Sequence, residues 1–122
     1  MKRKYQKPLN KQKWNKQIKF YHNRTTQHFL LGVARRGDYV AGHDMTSHPL
    51  LTLNGKPKSK YLTLSKNPNP DDNRISYINK HIRKNIKIHF DDPYSKRLKI
   101  KKNWKLSKRD KEMIQKIDRK KI

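Results

Sequence analysis

The sequence predicts a mostly β protein: a small curled barrel or half-open sheet with one C-terminal helix and a basic N-terminal arm. Three observations predict it. Between His28 and Ile100, apolar residues come in short runs or alternate, and clusters of Gly, Pro, Asn and Asp separate them. Clear helical spacing appears only after Ser107. The first 20 residues carry many Lys and no acid, with too little apolar surface to fold alone.

Taken in order, residues 1–20 read as the arm and residues 21–122 as one domain. Phe29, Leu30, Leu31, Val33 and Ala34 form an apolar run that Arg35-Arg36-Gly37-Asp38 breaks and Tyr39-Val40-Ala41 resumes, the pattern of a β-hairpin with a Gly-containing loop. The second strand runs towards His43–Ser47, and Pro49 ends it because proline cannot donate to a ladder. Leu51-Thr52-Leu53 and Tyr61–Leu64 are two more strand-like pieces, with Asn54-Gly55 as a turn signal between them. Residues 67–72, Asn-Pro-Asn-Pro-Asp-Asp, are loop. Ile75–Arg83 fits strand or helix. Ile86, Ile88 and Phe90 alternate as a strand does, Asp91-Asp92-Pro93 turns, and Leu98 with Ile100 suggests a last strand. Ser107 followed by Asp110 resembles a capping box, and Met113, Ile114 and Ile117 share a face, which predicts a helix over 108–119 with Trp104 and Leu106 beside its entrance.

Length and charge bound the function. The chain has 122 residues, room for one domain plus tails. It holds 33 Lys and Arg against 9 Asp and Glu, a net charge of +24, which repels itself and attracts polyanions. Only 31% of residues are hydrophobic, so the core is small. No cysteine is present, which excludes a disulfide framework, a Cys-based zinc site and a thiol nucleophile. Neither a signal-peptide pattern nor a long apolar run occurs, so a cytoplasmic protein with no membrane partner is expected. Nucleic acid is the expected partner, with RNA favoured.

The densest polar cluster is residues 43–48, His-Asp-Met-Thr-Ser-His. Cleaving RNA needs a base for the ribose 2′ proton, an acid for the leaving oxygen and a cation for the phosphate charge. The cluster offers imidazoles, a carboxylate and hydroxyls, and Arg24, Arg35 and Arg36 are upstream cations. The alternative is that Thr46 and Ser47 only close a turn. Metal binding by His43, Asp44 and His48 with His81, His89, Asp91 or Asp92 lacks a recognised ligand spacing, so neither metal nor cofactor is expected. Lys2, Arg3, Lys4, Lys11, Lys13 and Trp14 of the arm, Arg36, and Lys99, Lys101, Lys102 and Lys105 around Trp104 are candidates for tracking a backbone while an aromatic stacks on a base. The alternatives are a solvated arm and a core position for Trp104.

The stretch from Gln27 to Ser47, with strands His28–Ala34 and Tyr39–Ser47, resembles the PemK/MazF family of plasmid and chromosomal toxins, as does the segment from Leu106 into the last helix. The resemblance covers about half the chain. It implies an SH3-like barrel that cuts single-stranded RNA without a metal, forms dimers and is neutralised by an acidic antitoxin. The family's Thr or Ser maps onto Thr46 or Ser47. Where its catalytic arginine belongs stand Gln27 and His28, which passes the role to His28 with Arg24 or Arg35 assisting. A non-enzymatic nucleic-acid-binding accessory protein of a plasmid or phage fits the same charge.

Overall fold

A computed structural model describes residues 13–23, 26–87 and 98–119. Seven strands and one helix follow in chain order: β1 (Asn15–Asn23), β2 (Phe29–Arg36), β3 (Tyr39–Thr46), β4 (Tyr61–Thr63), β5 (Tyr77–Asn79), β6 (Arg83–Lys87), β7 (Leu98–Ile100) and α1 (Lys108–Asp118). They build one antiparallel sheet in the order β4-β5-β3-β2-β1-β7, with β6 also on β3. The free edge of β3 is shared: β6 takes Tyr39, Val40 and Gly42, and β5 takes Met45 and Thr46. The expected barrel is not closed. Among the described residues the two outer strands, β4 and β7, have three residues each and do not pair with one another.

The β2–β3 hairpin forms as its sequence suggests, and Gly37 takes the positive φ of 59° that the turn requires. A bulge at Val33 places two successive residues, Val33 and Ala34, on the same side, so both join the main core. Gly32 pairs with Gly42 at the sheet centre. A Cβ on Gly42 would stand 2.6 Å from the Leu31 carbonyl oxygen, so backbone approaches there too closely for any side chain.

Alternation divides the rest between two faces. Phe20, Leu31, Ala41, Met45, Leu64, Ile78 and Ile82 pack with Ile114 of α1, and Trp14, Phe29, Trp104 and Leu106 lie against them. The other face carries a smaller cluster of Tyr21, Leu30 and Val40, with Ile86 and Ile100 beside it. Burial pushes the Tyr21 phenol above its ordinary pKa.

Helix α1 is anchored at both ends. The Ser107 hydroxyl caps it by accepting from the Asp110 amide. Asp110 does not complete a capping box. Its buried carboxylate instead accepts the amides of Ser65 and Lys66, tying the helix start to the loop after β4. At the other end Asp118 meets His43 in the core. Ile114 is buried and Ile117 half-buried, but Met113 is exposed, so the apolar face is narrower than its spacing suggests.

Two expectations change, and one segment left open resolves into strands. The arm does not extend to residue 20, because β1 takes up Asn15–Asn23 and Phe20 enters the core. Leu51–Leu53 is no strand: one bridge joins Leu51 to Pro57, and it goes no further because the Leu50 amide turns to the Tyr61 hydroxyl and Gly55 closes a turn onto Thr52. Leu50, Leu51 and Leu53 are exposed on this loop, turned at Gly55 with φ 76°. The segment open between strand and helix holds β5 and the start of β6. Within the 67–74 loop, Arg74 forks onto Asp72 and holds its carboxyl at about 2. Ile88, Phe90 and the 91–93 turn lie outside the described residues. No described helix is long and apolar enough to cross a membrane.

Candidate nucleic-acid interface

On the face turned away from α1 there is a cavity of about 580 Å³. The ends of β2 and β3, the turn after β1, and strands β4, β5 and β6 all contribute to its lining. Met45 points into the core under α1, so alternation turns Asp44 and Thr46 to the opposite side. Leu30 pairs with Asp44 and Gly42 with Arg83, which brings β6 over the same surface.

His28 enters this cavity from a tight turn. The Asn23 amide donates to the His28 carbonyl at 2.8 Å, Gln27 takes a φ of 61°, and the Thr26 hydroxyl accepts the His28 amide at 3.3 Å. The imidazole itself is on an exposed residue. Thr46 lies on the same cavity at the end of β3. Its hydroxyl oxygen accepts the His48 amide at 2.9 Å, so Thr46 closes a turn, and its own proton remains available to donate. Tyr61 adds a second hydroxyl, which accepts the Leu50 amide at 3.3 Å. Asn79 and Asn85 complete the polar wall, and Phe29, Leu30, Met45 and Ile86 supply an apolar one.

His28 and Thr46 are therefore brought together, and Arg35 and Ser47 are not. Arg35 sits seven residues beyond His28 along β2, roughly 20 Å away at about 3.3 Å per residue. Its Nε donates to the Gly37 carbonyl at 2.8 Å. Ser47 does not line the cavity, and its hydroxyl meets Nδ1 of His48 at 3.0 Å. Arg24 lies outside the described residues. His43, expected among the acid–base candidates, is fully buried on the α1 side. Its Nδ1 donates to the Asn79 carbonyl at 2.7 Å, and Nε2 stands 2.9 Å from Asp118 Oδ1. Among the described residues, no three His, Asp or Glu side chains gather as metal ligands.

Among the described residues, the Lys and Arg side chains lining this cavity are Arg83 and Lys87 of β6, which sequence reading missed. Arg83 donates from Nη1 to Asp44 Oδ1 at 3.0 Å, with both side chains about half exposed. The signal was weak because Arg83 and Asp44 are 39 residues apart and a lysine-rich background hides one more cation.

The aromatic candidates sit in packing roles. Trp104 lies 4.6 Å from Phe29 and 5.8 Å from Phe20, which makes it part of the core margin. Trp14 packs on the same cluster, with the Arg36 guanidinium 4.3 Å from its ring centre. Lys13, Lys99, Lys102 and Lys105 are exposed, and Lys101 is half-buried. Lys2, Arg3, Lys4 and Lys11 lie outside the described residues. Arg74 pairs with Asp72 and Arg83 with Asp44. The chain's nine acids leave a surplus of +24 even if every one is matched. Compared with known proteins, the chain matches no family model, no curated protein and no solved structure.

Proposed function

We propose that this chain is an RNA-binding protein of PemK/MazF-like type, an SH3-like sheet whose cavity cuts single-stranded RNA without a metal, in the manner of a plasmid or phage toxin held in check by an acidic partner. The observation that carries the reading is the shared cavity: a base, His28, and a hydroxyl, Thr46, face one space together with two cations, on a molecule of +24 net charge. In the proposed reaction His28 takes the proton from a ribose 2′ hydroxyl. The 2′ oxygen attacks phosphorus, and the bond to the 5′ oxygen breaks. That oxygen leaves with a proton from a second donor, for which the Tyr61 phenol on the same wall is suited. The products are a 2′,3′-cyclic phosphate and a 5′ hydroxyl, with no oxidant or co-reactant required.

A second reading, binding without cleavage, is favoured by one observation: the cavity's arginine is engaged by Asp44. Incubating the protein with unstructured RNA in EDTA separates the two. Cleavage to cyclic phosphate ends is the expected result. Retention of intact RNA on the protein would establish the accessory reading instead.

A further inference from the structure

The Asp44–Arg83 ion pair is the feature of the cavity that the proposed chemistry does not yet use. The geometry points to an anion latch: Arg83 is the cation that receives a phosphodiester in this cavity, and Asp44 occupies it until the phosphate arrives. This deepens the RNA-binding reading and rests on it for the identity of the natural ligand, a single-stranded RNA backbone.

Four features of the site support the latch. The pair joins β3 to β6 across the cavity surface, with Arg83 opposite Gly42 in the register and lining the cavity beside Asp44. Both partners are 48% exposed, so the ion pair is solvent-screened and weak, of a kind that a competing anion can displace. A phosphate offers a guanidinium two oxygens in the fork geometry that suits it, whereas the Asp44 contact is a single bond from Nη1 to Oδ1. The remaining lining is matched to a nucleotide. Lys87 provides a second positive charge, Asn79 and Asn85 provide amides, and Leu30 and Ile86 form an apolar floor.

Asp44 therefore has a defined effect. It keeps Arg83 extended over the cavity when no ligand is present, and it competes with a phosphate for the same guanidinium. Its removal strengthens binding, the opposite of what loss of a polar contact to ligand would do. By contrast, Asp71 is an exposed acid on the 67–74 loop and does not line the cavity. Its removal adds the same unit of net charge without releasing Arg83.

The test compares wild type with Asp44→Asn, Arg83→Ala, Arg83→Lys, the Asp44→Asn/Arg83→Ala double variant and Asp71→Asn. The probe is a short fluorescent single-stranded RNA with 2′-fluoro sugars, which cannot be cut. At fixed low salt, Asp44→Asn is expected to bind about three- to fivefold tighter, and Asp71→Asn to change affinity less than about twofold. Arg83→Ala is expected to weaken binding about 10- to 100-fold, with Arg83→Lys between it and wild type. The double variant should match Arg83→Ala, because Asp44 acts only through Arg83. Equal gains in Asp44→Asn and Asp71→Asn, or a gain retained in the double variant, overturns the latch. So does an Arg83→Ala variant that keeps its thermal midpoint and binds like wild type.

A second arm separates the latch from the RNA reading. Inorganic pyrophosphate should raise the thermal midpoint of wild type and more so that of Asp44→Asn, but not that of Arg83→Ala. If no variant binds RNA while pyrophosphate shows this Arg83-dependent pattern, the latch stands and the RNA reading fails. If RNA binds equally to every variant, the RNA reading stands and the latch fails.

Discussion

His28→Ala is expected to slow cleavage of unstructured RNA by about 10²- to 10⁴-fold, the usual contribution of a positioned acid–base group. The expectation follows from position. The β1–β2 turn holds His28 by its own carbonyl and amide, so truncating the exposed imidazole removes the base and leaves the turn intact. Thr46→Ala should also lower the rate, but it removes the acceptor of the His48 amide as well, and part of its effect will appear as a changed turn. Arg35→Ala should stay within about twofold of wild type, since roughly 20 Å of strand separates it from the cavity. Initial rates in EDTA, with circular dichroism to check folding, distinguish these cases. Equal losses in His28→Ala and Arg35→Ala would remove the cavity from the mechanism.

Asp118→Ala is expected to destabilise the fold by about 1–3 kcal/mol, because it leaves a buried ring nitrogen of His43 without its partner. His43 is fully buried in β3, between the Asn79 carbonyl and the Asp118 carboxylate. This one ring fastens the end of α1 to the middle of the sheet. Asp118→Asn keeps a hydrogen-bonding partner for Nε2 and should cost no more than about 1 kcal/mol. Urea unfolding of the three proteins tests the order. A domain of this size has only about 5–15 kcal/mol to lose, so the Ala variant should melt roughly 5–15 °C lower. Similar midpoints for Asp118→Ala and wild type would show that the helix end is held by apolar contacts around Ile114 alone. The bond from His43 also reaches Asn79, whose side lines the cavity, so helix anchoring and site shape share one residue.

Local signals made much of the fold legible. The β2–β3 hairpin was written in an apolar run, a Gly-containing break and a second run, and α1 in a cap and a face, because both depend on residues near in sequence. The limits of β1 were hidden by charge. Lysine-rich segments read as arms, yet β1 buries Phe20 and Tyr21 on opposite faces while its Lys residues 16 and 19 stay in solvent. Leu51–Leu53 misled for the converse reason: apolar alternation argues for a strand only where a partner strand runs alongside, and this segment closes a short loop onto itself instead.

The site divides the same way. His28 and Thr46 flank one hairpin end, and their neighbourhood follows once that hairpin is drawn. Arg83 needs β6 laid on β3, a pairing across about 40 residues that no local pattern announces. His43 drew attention as a reactive side chain, but an imidazole with a hydrogen-bonding partner at each nitrogen inside a core is a structural tie. No spacing in the sequence shows that its partner is Asp118, 75 residues away.

The surplus of positive charge is the premise on which the whole reading stands, and its meeting with phosphate has a direct measure. Affinity for single-stranded RNA should be titrated against salt with the full chain. The expected slope of log K against log salt is on the order of −4 to −8, a loss of roughly 10²- to 10⁵-fold between about 50 and about 200 mM. A flat response would contradict the account and assign the cations to a role other than gripping a nucleic-acid backbone.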